Sequence, residues 1–111
     1  MLIGNGWKHT DWCKANVLDA MNVPLNHTGD QAQASCIIVK PSSLSKMFVS
    51  EWLNWCLMEW VINDSESDVP NSTTFREHRH DQAILTNLAI KYDIPFNRWP
   101  CLLYTSDAAD E

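Results

Sequence analysis

Phe75-Arg76-Glu77-His78-Arg79-His80-Asp81-Gln82-Ala83-Ile84-Leu85-Thr86-Asn87-Leu88-Ala89-Ile90-Lys91-Tyr92 is the stretch on which the fold turns. Its second half carries Ile84, Leu85, Leu88 and Ala89 on one face at helical spacing. A helix is therefore predicted from His80 or Asp81 to Tyr92, ended by Pro95, with Ile94 to Phe96 starting another strand. Its first half is a run of ionisable residues placed just ahead of that apolar repeat. A helix N-terminus presents unpaired N–H groups and the positive end of the helix dipole, so a negative group such as Asp81 is favoured there. Arg76 and Arg79 offer forked donors to a phosphate or carboxylate. His78 and His80 share a face if the segment is extended and diverge if it is helical. The same pattern also arises as a solvated cap with local ion pairs.

Upstream, Leu44, Phe48, Trp52 (with Glu51 on its flank), Trp55 and Met58 recur every three or four residues. They predict an amphipathic helix over about Leu44–Trp60 with an aromatic stripe, which fits core packing. Pro41-Ser42-Ser43 supplies its cap. Before it, Gln31 to Lys40 alternates and then becomes apolar on both sides, which predicts a central strand covered on both faces near its end. Thr10 is expected to cap a helix from about Asp11 to Met21 with Cys13, Val17 and Met21 on a narrow apolar face. Residues 1–9 read as a glycine-containing loop, and Asn63 to Thr74 as a polar loop around Pro70. The order of elements points to an α/β fold with an incomplete sheet and about three helices.

Composition bounds the function classes. With 111 residues, 45% apolar and 20% charged, the chain suits one small domain. A net charge of −6 argues against a nucleic-acid surface. No apolar run approaches the roughly 18 residues of a membrane span. Cys13, Cys36, Cys56 and Cys101 lack a C-x-x-C spacing, and no secretory signal follows Met1, so reduced thiols and a cytoplasmic setting are expected. Three glycosylation sequons, at Asn26, Asn63 and Asn71, are then chance matches. Six tryptophans either fill a core or line a sugar or base platform.

The blocks His78-Arg79-His80-Asp81-Gln82 with Ile84-Leu85 and Lys91, Phe48-Val49-x-Glu51-Trp52-Leu53 with Cys56, and Gln31-x-Gln33-Ala34 together resemble a bacterial and phage-borne glycosyltransferase-like family with a nucleotide-diphospho-sugar transferase (GT-A-like) fold. The resemblance covers most of residues 10–98. It implies transfer of a sugar from a nucleotide-sugar donor to a glycan or other acceptor, in surface-glycan assembly, with residues 1–100 forming the acceptor-side, C-terminal part of the domain. Asp81 is then the catalytic candidate, binding a sugar hydroxyl or acting as a general base. Arg79, Gln82, Gln31 and Gln33 are candidates for the substrate cleft. His78 and His80 are candidates to complete a metal shell or meet the diphosphate. The divalent ion, Mn or Mg, is expected on an Asp-x-Asp motif of the donor half, so that the part alone is inactive. Asp64-Ser65-Glu66-Ser67-Asp68 has acid-x-acid spacing but no apolar strand before it, and reads as a loop.

Residues 101–111, Cys-Leu-Leu-Tyr-Thr-Ser-Asp-Ala-Ala-Asp-Glu, resemble a translated sequencing adapter and are set apart as a non-native tail. Two other readings stand beside the transferase. One is a small metal-binding module using His78, His80, Asp81 and Cys56, although that spacing matches no common structural zinc pattern. The other is a non-enzymatic interaction domain that uses the Trp-rich helix as its contact face.

Overall fold

The computed structural model describes residues 2–34 and 37–97. Strand β1 (Leu2–Lys8) runs into a 3-10 turn (His9–Asp11), followed by α1 (Ala15–Ala20), β2 (Asp30–Ala32), α2 (Ser43–Cys56), α3 (Glu59–Ile62), α4 (His80–Lys91) and β3 (Phe96–Asn97). The result is a small mixed α/β domain. Strand β1 is central, antiparallel to β2 and parallel to the two-residue β3.

Helix α4 organises the core because it is apolar on more than one face, as a helix enclosed by neighbours must be. Ala83, Ile84 and Leu88 join Cys13, Val17, Leu18, Met21, Val23 and Val61 in one cluster. Leu85 and Ala89 join Leu2 and Ala32 in a second. Phe48 and Trp52 of α2 pack against both. The expected α4 helix and its Ile84, Leu85, Leu88 and Ala89 face are therefore present, and the strand expected from Ile94 to Phe96 is found two residues later, at Phe96–Asn97.

Helices α1 and α4 end in the same way. Asn22 and Asp93 adopt left-handed backbones, with φ of 60° and 55°. The N–H groups of Val23 and Ile94 donate back to the carbonyls of Leu18 and Ala89, while those of Asn22 and Asp93 donate to Asp19 and Ile90. This is the paired closure of a Schellman motif, and Asn and Asp are the non-glycine residues that tolerate it best.

Several expectations are corrected. Residues 2–8 form the central strand, not a loop. The alternation there is hidden by Gly4 and Gly6, and the pairing carries an irregularity between Gly4 and Lys8 with Gly6 at φ 80°. The helix predicted over Asp11–Met21 is a 3-10 turn followed by a short helix. Thr10 is buried in the turn and caps nothing, although Cys13, Val17 and Met21 still share one cluster. The strand predicted over Gln31–Lys40 is three residues long. Ser35 and Cys36 lie outside the described residues, and Ile38 and Val39 are exposed without regular structure. Side chains close the outer edge of β2. Gln33 N–H pairs with the Ile3 carbonyl at 2.6 Å, but the groups of Ala32 point away from β1. There Thr86 Oγ1 accepts the Ala32 N–H at 2.9 Å and Gln82 Nε2 donates to the Ala32 carbonyl at 2.7 Å. Spaced i, i+4 on α4, these two side chains occupy the place of a neighbouring strand and cover the edge.

The helix predicted over Leu44–Trp60 breaks at Leu57 into α2 and α3. Ser42 does cap α2, in a reciprocal pair with Ser45. Of the aromatic stripe, Phe48, Trp52 and Trp55 pack on the core, whereas Leu44 and Met58 are exposed. Among the described residues no helix is long and apolar enough to cross a membrane. The tail at 101–111 lies outside the described residues.

Candidate functional site

The segment 75–79 has no regular structure, and two backbone bonds pin it to the 3-10 turn. Arg76 N–H donates to the Asp11 carbonyl at 2.7 Å, and Arg79 N–H to the Trp12 carbonyl at 3.0 Å. The chain then turns sharply into α4, with His80 in the left-handed region at φ 46°. That turn separates the two imidazoles. Their rings meet edge to face at 5.8 Å, one buried and one exposed.

His78 is a structural histidine. Its Nε2–H donates to the Val61 carbonyl at 2.7 Å, and its Nδ1 accepts the Lys14 N–H at 3.2 Å. Both ring nitrogens are engaged by protein groups, so neither is offered to a metal. Burial, reinforced by the Lys14 and His80 charges, lowers its pKa to about 4. His80 is exposed, and its Nε2–H donates to Asp64 Oδ1 at 2.8 Å. Among the described residues no three His, Cys, Asp or Glu side chains converge as a metal set. Cys56 is half-buried and its thiol is pushed up by burial and by Asp81.

The other predicted site residues part company. Asp81 is exposed. Its carboxylate accepts the Gln82 N–H at 3.0 Å, and its carbonyl accepts Trp52 Nε1–H at 3.0 Å. Gln82 is turned inward onto β2. Gln31 is buried, with Nε2 donating to the Trp12 carbonyl and to His9 Nδ1, both at 3.3 Å. Gln33 is half-buried and uses its backbone in the sheet. Arg79 is held by Glu77 at 2.8 Å and lies against the rings of Trp7 and Trp12.

Of these residues, His78 and His80 share an open cleft of about 600 Å³, whose wall also includes Lys14, Asp64, Ser65 and Glu77. The far wall is the 63–71 loop, and Lys14 holds it in place. The Lys14 ammonium donates to the carbonyls of Asn63 and Ser65 at 3.0 and 3.1 Å, and to the Ser65 hydroxyl at 3.2 Å. Burial lowers its pKa while Asp64 opposes that shift. The loop's acid-x-acid residues are thus a cleft wall, and no strand end precedes them. Chemically the cleft offers an imidazole oriented by a carboxylate, which can move a proton, beside hydroxyl and carboxylate groups that bind hydroxyls.

A second polar system was not legible in the sequence. Gln31 leads to His9, whose Nε2–H donates to Asn87 Oδ1 at 2.6 Å. Asn87 Nδ2 then reaches Met21 Sδ at 3.3 Å and Cys13 Sγ at 3.6 Å. All five side chains are buried. Burial lowers the His9 pKa to about 4 and raises that of Cys13 to about 12. The thiol is therefore inert, and the chain of contacts braces α4 against the 3-10 turn, β2 and the end of α1. His9 precedes any helical or strand period that could have marked it.

No family model, no curated protein and no solved structure matches this chain.

Proposed function

We propose that the chain is the acceptor-side part of a nucleotide-sugar glycosyltransferase domain, which in the complete protein moves a sugar onto a glycan or other acceptor. The observation that carries this reading is the cleft at the start of α4. It joins the exposed His80–Asp64 pair to Glu77 and Ser65 without clustered cations, a lining suited to a neutral, hydroxyl-rich acceptor. In this reading the His80 imidazole, oriented by Asp64 through Nε2–H, takes the proton of an acceptor hydroxyl on Nδ1, and Asp64 steadies the imidazolium that forms. Asp81 and Arg79 flank the same turn. In this reading the divalent ion and the groups that hold the leaving diphosphate belong to the donor half.

The test is to express the complete coding region and assay release of nucleoside diphosphate from a panel of nucleotide sugars, with His80→Gln and Asp81→Asn as variants. Transfer that drops about a hundredfold in either variant supports the reading, that being the usual worth of a positioned acid or base. A complete protein that turns over none of the donors removes it. The interaction-domain reading also has an observation in its favour, the exposed apolar side of α2. It would take first place if the complete protein bound a protein partner and no sugar.

A further inference from the structure

We infer that Trp7 is a stacking platform for a saccharide ring. Three separate pieces of chain build it. The irregularity in β1, with Gly6 at φ 80° and Asn5 Oδ1 accepting the Trp7 N–H at 2.9 Å, turns the Trp7 side chain off the sheet. Its indole stacks on Trp12, from just beyond the 3-10 turn, with ring centres 4.5 Å apart and planes 23° from parallel. The Arg79 guanidinium, from the start of α4, lies 5.4 Å from one ring and 5.5 Å from the other. Trp12 and Arg79 are themselves joined through the backbone at 3.0 Å. Trp7 is thus locked on one side yet remains 44% exposed. An exposed aromatic that is already immobilised suits a binding platform, because little side-chain freedom is left to lose when a ligand arrives.

The surroundings choose the ligand. An indole face carries negative quadrupole density, which attracts the weakly positive C–H groups on the face of a pyranose. Arg79 is already neutralised by Glu77 at 2.8 Å, and Asp11 stands next to Trp12 with its carboxylate accepting the Thr74 hydroxyl. A phosphate-bearing ligand would meet those acids, whereas a neutral sugar finds in them acceptors for its hydroxyls. The preference for a neutral sugar is argued from these groups, and only its role as a transferase acceptor rests on the glycosyltransferase reading. The platform itself is built from the geometry.

The measurement is a nitrogen-15 titration of this chain with maltotriose and triacetylchitotriose, following the indole N–H signals. Binding at about millimolar strength should shift Trp7 and Trp12 and leave Trp60, which is 43% exposed but outside the stack, unmoved. Trp7→Ala should weaken binding at least about tenfold, while Trp7→Phe, which keeps a ring, should hold it within a smaller factor. No shift with either sugar, a shift at Trp60 in place of Trp7, or tighter binding of adenosine monophosphate would overturn the inference. Sugar binding here with no transfer by the complete protein would remove the glycosyltransferase reading and leave the platform. Transfer without this binding would do the reverse.

Discussion

His9 and His78 show what burial does to a side chain that titrates near neutrality. Both are held neutral, with pKa values lowered to about 4 from 6.5. The unfolded chain therefore binds more protons than the folded one between those values. Their contribution to stability is complete above about pH 6.5 and is lost as pH falls toward 4. The Asn87 bond at His9, and the Val61 carbonyl and Asp64 at His78, work against the effect of burial without cancelling it, while the Lys14 charge adds to it at His78. Thermal melts are expected to show a midpoint falling steadily from pH 7 to pH 4.5. The loss should reach a few kcal/mol for the pair, because each tenfold fall in proton affinity on folding is worth about 1.4 kcal/mol. A flat profile would mean that both rings are solvated. Legibility at this scale was partial. His78 and His80 stood out as a pair in the sequence, but which one faced the core depended on the left-handed turn at His80, and no spacing rule shows that turn.

At the scale of elements, side chains do work that strands usually do. Thr86 and Gln82 complete the hydrogen bonding of Ala32, and replacing Thr86 by Val keeps the volume while leaving the Ala32 N–H unpaired. The expected cost is about 1–3 kcal/mol in urea unfolding, the penalty of an unsatisfied buried donor. A change within error would show that water reaches the β2 edge. The end of α4 offers a change of opposite sign. Asp93 occupies a left-handed position that glycine adopts freely, so Asp93→Gly should stabilise by up to about 1 kcal/mol and Asp93→Val should destabilise. Equal effects from the two would argue against the Schellman closure. The helices α2 and α4 were legible because their apolar periods are long. The strand after Gln31 was overextended because Ile37-Ile38-Val39 has strand-like composition, and composition does not report whether a partner strand exists to receive it.

For the whole molecule, α2 is the element left partly uncovered. Phe48, Trp52 and Trp55 face the core, while Val49, Leu53 and Leu57 form an i, i+4, i+8 row on its other side and are all exposed. Beside α2 lies an apolar cavity of about 480 Å³ lined by Ile37, Ile38, Leu44, Phe48, Tyr92 and Ile94. An apolar surface of this kind promotes association in water. Sedimentation is expected to show self-association that rises with concentration. Leu53→Lys should reduce it while leaving the unfolding midpoint within about 0.5 kcal/mol of the parent, as for a surface change. A monodisperse parent would mean that the row is too sparse to act.

What the sequence determined by itself was the presence of the two long helices α2 and α4, a cap for α2 within Pro41-Ser42-Ser43, the α/β class and the position of the ionisable run at the start of α4. Those follow from local periods and from caps that act within a few residues. Only the tertiary structure decided which strand is central, and that His78, Gln31 and Gln82 turn inward while His80, Asp81 and Trp7 stay outside. It also decided that Lys14 anchors the loop forming the cleft wall. These outcomes depend on groups far apart in sequence, such as His80 with Asp64, 16 residues away, His9 with Asn87, 78 away, and Leu2 with Phe96 across the sheet. A buried polar group takes whichever partner packing brings within hydrogen-bond reach, and sequence distance places no limit on that choice.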